Sequence, residues 1–405
     1  MNGLAQLAAG SGDKVTGSDR AYTPGTPNFE WLERIGVAFF PQDGSGVTPH
    51  TDRVVYSTAI EPGNADLLEA RKLGIPLYHR ADFLKELIGE DEVIAVAGTA
   101  GKTTTTGLLG WIFECLGKDP TVYNGAGVLN WKRPSHPGNV RMGRSGLWII
   151  EADESDKSFL TFHPSHSIIT NISKDHFELD QLHSMFDQFE SQTAGITIRG
   201  ASGAFSELDV KVPMMGRHNL DNARCAAKLC LDLGMNRESV IEAIGRFEGI
   251  ERRLEITGKT HGITIIDDYA HNPAKIGAAL RAVAETGARV HAFWRPHGFT
   301  PLAQNMSELE AVFSQHWKAF GGSVSILPVY YAGGTVERKV SSENLVDRLN
   351  SAGIPAVHIP DYDALKDHLE AHAQPGDAIL GMGARDPELP LFARRLVEEW
   401  NLSRS

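Results

Sequence analysis

The chain is poor in cysteine. Three thiols in 405 residues, Cys115, Cys225 and Cys230, leave little material for a disulfide frame. All three fall in helical patterns and are expected as buried thiols of a reducing compartment. Long apolar runs are also missing, which excludes a membrane-spanning helix. Basic residues are in deficit, with 39 Lys and Arg against 51 Asp and Glu. A net charge of −12 argues against non-specific binding to nucleic acid or to an anionic membrane. The first ten residues carry neither a basic segment nor an extended apolar core, so no secretory leader is expected and the location expected is cytoplasmic. Internal repeats and low-complexity tracts are absent as well. What is there is ordinary for a soluble enzyme: 41% hydrophobic and 22% charged residues. The length suggests two or three domains.

Strand-like and helix-like patterns alternate throughout, which predicts an α/β fold with mostly parallel sheets. Three blocks are expected, 1–88, 89–250 and 251–405. The first holds a helix over 3–9, a strand ending at Val15–Asp19, a strand at 54–57 and a helix over 64–73. The second has apolar strands at 93–97, 147–150 and 167–170. The third has strands at 263–266, 290–293 and 378–381.

The most informative stretch is Gly98-Thr99-Ala100-Gly101-Lys102-Thr103-Thr104-Thr105-Thr106. It lies between the buried-strand pattern Val93–Ala97 and the apolar helix pattern 107–113. A strand, a Gly-rich turn, Lys-Thr and a helix make a nucleotide phosphate cradle, because backbone N–H groups and the helix dipole face the phosphates. Lys102 adds a point charge, and the Thr103 hydroxyl suits Mg²⁺. The match to the general phosphate loop is incomplete, since Val96 stands where its first Gly belongs. The plain alternative is a Gly/Thr turn.

Further polar residues stand at strand ends, where open α/β sheets bind ligands. Strand 147–150 runs into Glu151-Ala152-Asp153-Glu154-Ser155-Asp156. A carboxylate there suits Mg²⁺, which takes one or two carboxylates with phosphate oxygens and water; the alternative is a solvated acidic loop. Strand 167–170 leads to His176, a candidate second metal or phosphate contact, or simply a structural histidine. Asn219 and Asn222 lie one helical turn apart and either face a base or cap the helix. Arg252 and Arg253 suit phosphate or an interdomain ion pair. Strand 263–266 ends in Asp267-Asp268-Tyr269-Ala270-His271-Asn272-Pro273, where an Asp can accept ribose hydroxyls; the alternative is an Asn-Pro turn.

In their order, these motifs resemble the Mur ligase family from end to end. The motifs are Gly-Thr-x-Gly-Lys-Thr-Thr, Glu-Ala-Asp-Glu-Ser-Asp, Thr-Asn-Ile-x-x-Asp-His, Gly-Arg-His-Asn-x-x-Asn, Arg-Arg-Leu-Glu and Asp-Asp-Tyr-Ala-His-Asn-Pro. Within the family, Gly17-Ser18-Asp19, Tyr56–Ile60, Arg295-Pro296-His297 and Gly381–Ala384 are similar to the branch that joins L-alanine to UDP-N-acetylmuramate. Gly3–Ala8 and Arg252–Glu255 lean toward the recycling branch, which attaches a tripeptide to the same sugar. The resemblance implies three α/β domains: Rossmann-like, P-loop ATPase-like and Rossmann-like. It implies an ATP- and Mg²⁺-dependent ligase of peptidoglycan precursor synthesis acting through an acyl phosphate. A nucleotide-binding relative without sugar turnover is the rival from another class. Folylpolyglutamate-type ligases share the Asp-Tyr-Ala-His-Asn-Pro segment but lack a UDP-sugar domain.

By resemblance, Gly98, Thr99, Ala100, Gly101, Lys102, Thr103 and Thr104 cradle ATP. Thr103, Glu151 and His176 hold metal. Lys102, Glu151 and His176 are the catalytic set. His218, Asn219 and Asn222 surround adenine. Arg253, with Arg252 as rival, Asp268 and His271 reach phosphate and ribose when the third domain closes on the second. Ser18, Asp19, Ser57 and His297 are substrate candidates. The partners implied are small molecules, with a monomer or homodimer as the assembly. Four departures stand out. The family's first strand and Gly-rich loop belong before residue 3. Ala100 replaces a usual His. The interval from His176 to Gly216 is short. Gly298 and Pro301 stand where arginines associated with substrate carboxylates are expected.

Overall fold

The computed structural model describes residues 1–173, 178–331 and 340–403. The chain separates into two compact units. One comprises Met1–Pro213 with His218–Ile250, the other Met214–Arg217 with Glu251–Ser405.

The first unit begins with α1 (Asn2–Gly10), β1 (Thr16–Ser18), α2 (Pro27–Arg34), β2 (Ala38–Phe40), β3 (Val54–Tyr56), α3 (Ala65–Leu73), β4 (Leu77–His79) and α4 (Arg80–Ile88). Its strands form two separate parallel pairs, β1–β2 and β3–β4, rather than one Rossmann-like sheet. The apolar face of α1 explains where this segment finds its core. Leu4, Leu7 and Ala8 are buried in one cluster with Phe83 and Leu84 of α4 and with Val93, Ala95, Trp148 and Ile150. Gly3 is a close-approach position, because a Cβ there would stand 2.8 Å from the Tyr123 ring. A short amide chain fixes the contact: Gln6 donates to Asn139 (2.8 Å), which donates to Asn2 (3.0 Å).

The same unit continues through β5 (Glu92–Ala97), α5 (Lys102–Cys115), β6 (Thr121–Tyr123), β7 (Val140–Arg141), β8 (Leu147–Glu151), β9 (His166–Ile169), α6 (Leu179–Ser191), β10 (Thr197–Arg199), α7 (Arg217–Asp232) and α8 (Arg237–Gly245). Its six-stranded sheet has the order β10-β9-β5-β8-β6-β7, parallel except for the β6–β7 pair. Strand β5 is central, and its residues Val93–Ala97 are buried throughout, as expected for a parallel strand covered on both faces. The segments leaving β5, β8 and β9 therefore emerge side by side at their carboxyl ends.

The second unit holds β11 (Glu255–Thr260), β12 (Ile263–Asp268), α9 (Pro273–Ala284), β13 (Val290–Trp294), α10 (Phe299–Phe320), β14 (Ser323–Ile326), α11 (Ser342–Ser351), β15 (Ala356–His358), α12 (Tyr362–His372), β16 (Ala378–Met382) and α13 (Glu388–Ser403). Its sheet has the order β11-β12-β16-β13-β14-β15, with only β11 antiparallel. Two apolar clusters cover the faces. One centres on α9 and α10, the other on α12 and α13.

The α/β class and the parallel sheets are as the sequence implies. Strand β12 runs two residues further than expected and includes Asp267 and Asp268. The cysteines need a correction. Cys225 and Cys230 are buried, and burial pushes both thiols up, Cys225 to about 12. Cys115, the last residue of α5, is exposed.

Candidate active site

The turn between β5 and α5 uses glycine where only glycine fits. Gly98 has φ +130° and its missing Cβ would collide with Thr170 Oγ1 at 2.1 Å. Gly101 has φ +84°, and a Cβ there would strike Asn222 Oδ1 at 2.4 Å. Left-handed backbone without a side-chain penalty is the property glycine supplies. Gly101 is also the N-cap of α5, and no side chain caps that helix. Its first amides thus point out of the helix end with the positive pole of the dipole behind them.

The segment after β9 braces this turn. Thr99 donates from its hydroxyl to Asn171 Oδ1 (2.7 Å) and from its amide to the Asn171 carbonyl (3.1 Å). Asn171 Nδ2 and Thr170 Oγ1 both donate to the Ala100 carbonyl, at 2.7 and 2.6 Å. The loop is therefore held from below while the exposed Ala100 side chain faces away. Thr103 and Thr104 are buried in the first turn of α5.

The acids from Glu151 to Asp156 are not a solvated loop; each has a partner within the fold. Glu151 accepts from the Thr103 hydroxyl (3.0 Å) and from the Gly125 amide (2.7 Å). Glu154, almost fully buried, accepts from Lys102 Nζ at 2.6 Å. Burial pushes its carboxyl above the usual range, against the pull of Lys102. Lys102 also donates to the Gly98 carbonyl at 2.8 Å. Asp153 and Asp156 each accept from Arg80 Nη2 at 2.9 Å. Burial opposes ionisation of Asp153, yet Lys102 and Arg80 outweigh it and hold that carboxyl below the usual range. The sequence pattern points to Glu151 and Lys102. It carries no signal for Arg80 or Glu154, whose partners lie far away in the chain. His176 lies outside the described residues.

Thr103 and Glu151 offer a hydroxyl and a carboxylate in mutual contact. This hard oxygen pair is of the kind Mg²⁺ takes when phosphate oxygens and water complete its shell. Among the described residues no group of three or more His, Cys, Asp or Glu forms a cage for a metal.

Asn219 and Asn222 are buried inside α7, past its first residue Arg217, so neither caps it. Asn222 packs on Gly101, next to the cradle, and His218 is exposed. In the N-terminal segment, Ser18 hydrogen-bonds Asp66, and the exposed Asp19 accepts from the Ala21 amide (2.8 Å). Ser57 is half-buried, and its carbonyl accepts from the Ile60 amide.

The second unit separates the two candidate arginines. Arg252 is locked in place. Its guanidinium donates to Asp267 Oδ2 (3.1 Å) and to the carbonyls of Gly383 (2.5 Å) and Ala384 (3.1 Å). Asp267 is wholly buried, and burial pushes its carboxyl up to about 7 against the pull of Arg252. Arg252 and Arg253 both lie over the Tyr269 ring, each 5.2 Å from its centroid, so the bonds to Asp267 and the two carbonyls are what set Arg252 apart. Asp268 accepts from the amides of Leu254 (2.8 Å) and Ala270 (2.7 Å), so it ties the 252–254 turn to the end of β12. His271 stacks edge-on to His297 with 5.3 Å between centroids. Burial first, then Lys275, lowers His271 to about 4, and burial and Arg385 lower His297.

Known proteins resemble this chain over nearly its whole length. The description "Mur ligase family, catalytic domain" matches residues 1–91, and "Mur ligase, glutamate ligase domain" matches 252–385. The UDP-N-acetylmuramate–L-alanine ligase of Pelotomaculum thermopropionicum is 33% identical over 442 aligned residues, covering 95% of this chain and 92% of the relative. The chain belongs to the Mur ligase family. Members of this family are ATP-dependent acid–amino-acid ligases, and this chain is one of them. Among solved structures, the UDP-N-acetylmuramate–alanine ligase of Thermotoga maritima shares the fold with a TM-score of 0.82 at 24% identity, covering 100% of this chain and 97% of that one. A murein peptide ligase of Psychrobacter arcticus superposes with a TM-score of 0.67 at 23% identity, covering 99% and 96%.

Proposed function

We propose that this ligase joins L-alanine to the carboxylate of UDP-N-acetylmuramate in peptidoglycan precursor synthesis, using ATP and Mg²⁺ in the cytoplasm. The observation that carries the reading is the cradle. An uncapped helix end, two obligatory glycines and Lys102 converge beside a Thr103–Glu151 pair. Phosphoryl transfer needs charge neutralisation and alignment more than covalent help from the protein.

Lys102 would neutralise the β- and γ-phosphates, and the α5 amides would hold their oxygens. A bound Mg²⁺ would draw charge from the phosphates and the acyl oxygen, with Thr103 and Glu151 among its ligands; His176 is the second candidate. The substrate carboxylate takes the γ-phosphoryl group, releasing ADP. The amine then displaces phosphate from the acyl phosphate. Asn219, Asn222 and His218 are candidate base contacts. Arg253, Asp268 and His271 are carried as candidate phosphate and ribose contacts of the C-terminal unit. His297, Ser18, Asp19 and Ser57 are candidate substrate contacts. Three domains, 1–88, 89–250 and 251–405, and a monomer or homodimer complete the reading.

The recycling reaction, with a tripeptide as the amine donor, is the second reading, favoured by the likeness to murein peptide ligase. Phosphate release from ATP separates the two. It is measured with UDP-N-acetylmuramate against L-alanine, L-serine, glycine and L-Ala-γ-D-Glu-diaminopimelate. Release that requires the sugar and L-alanine supports the proposal; release that requires the tripeptide moves the chain to recycling. No sugar-dependent release, with ATP still bound, leaves a nucleotide-binding relative.

A further inference from the structure

The residues after β8 connect the head of α4 to the phosphate loop. Arg80, the first residue of α4, grips Asp153 and Asp156 with one guanidinium. Those two acids bracket Glu154, which alone among the loop's acids hydrogen-bonds Lys102. Backbone turns keep the bracket stiff: Asp153 accepts from the Ser155 amide and Asp156 from the Ser158 amide. Lys157 sits at φ +61°, left-handed backbone that a non-glycine residue keeps only when its surroundings hold it there. Just beyond, the fully buried Phe159 anchors the segment in the core.

Lys102 therefore carries a buried carboxylate on its ammonium group at the place where a phosphate oxygen would seek the same charge. We propose that Glu154 is a latch on the phosphate cradle, competing with nucleotide phosphate for Lys102, and that Arg80 is the positioning residue that holds the latch closed. This rests on the reading of the cradle as a nucleotide site. The arrangement links the N-terminal segment to the phosphate loop through ion pairs, because whatever shifts Arg80 shifts the loop carrying Glu154. Arg is suited to this part, since its planar fork sets Nε and Nη2 on Asp156 in a fixed geometry while Nη2 also reaches Asp153.

The test is a double-mutant cycle on ADP affinity in the full-length protein, read by calorimetry without Mg²⁺. Glu154→Gln removes the competing charge and keeps the shape; ADP should bind at least about fivefold tighter. Arg80→Lys keeps the charge and loses the fork, so it reports geometry. It should tighten ADP about threefold in the wild-type background and leave affinity unchanged in the Glu154→Gln background. Asp156→Asn is the second route to the same release and should follow Arg80→Lys. Thermal unfolding of each variant checks the fold. Weaker or unchanged binding in Glu154→Gln overturns the latch. Equal effects of Arg80→Lys in both backgrounds overturn the link. If neither wild type nor Glu154→Gln binds ADP, the nucleotide reading fails and takes the latch with it.

Discussion

Two strand ends in this chain carry the same sequence signal and do opposite things. Strands β8 and β12 are both apolar, lie in parallel sheets and end in acids. After β8, Glu151 and Glu154 meet partners that a ligand can also claim: a hydroxyl, a loop amide, a lysine. At the end of β12, Asp267 is sealed against Arg252, and Asp268 is bound to two backbone amides. Acids at a carboxyl edge thus keep partners that a ligand can displace in the first unit, while in the second Asp267 is sealed into the framework. The difference lies in what faces them, with a glycine-lined turn in the first case and a tight 252–254 turn in the second. Non-glycine residues at positive φ, Arg252 and Leu254, shape that second turn.

The comparison breaks most sharply at Lys102. Lys102→Ala should lower ATP turnover by about 10³-fold or more while the unfolding transition stays in place; a normal rate in a phosphate-release assay would remove the cradle from the chemistry. Next in size is Arg252→Ala, which strands the buried Asp267 carboxylate and should cost about 3–5 kcal/mol. Urea unfolding reads that loss, and an unchanged midpoint would mean that Arg252 is not framework. Glu151→Gln should cut kcat by about 10²-fold and shift the Mg²⁺ dependence, with little change in stability. Normal kinetics across a Mg²⁺ titration would take Glu151 out of the metal site.

The smallest effect belongs to His271. Its imidazole is held neutral, with a folded value near 4 against 6.5 for the ordinary group. Between those values the unfolded chain binds the proton and the folded chain does not. Stability is therefore full above about pH 6.5 and falls as the pH drops toward 4. Between pH 6.5 and about pH 5.5 the denaturant midpoints should slope in the wild type by about 1 kcal/mol and stay flat in His271→Gln.

Much of this arrangement is legible in the amino-acid sequence, and what decides is how local each signal is. The cradle can be read because strand, glycines, Lys-Thr and helix stand in one short run. Glu151 can be read for the same reason, as the last residue of a strand. Arg80 cannot, because its carboxylates lie more than seventy positions away, and an arginine opening a helix carries no mark of its target. The choice between Arg252 and Arg253 is equally closed to sequence. Both neighbours lie against Tyr269, and Asp267 with the carbonyls of Gly383 and Ala384 decides which one is locked. The split of the N-terminal strands into two pairs is hidden too, because three-residue strands leave hardly any periodic signal.

The contact between Gly101 and Asn222 reaches beyond catalysis. With 2.4 Å between the amide oxygen and the missing Cβ, the two positions cannot vary independently. A bulkier side chain at 222, introduced to alter base preference, would press on the phosphate turn. Any side chain at 101 would evict the amide from α7. The pair is a single unit of epistasis, so a library that randomises α7 around Asn222 searches the phosphate turn as well.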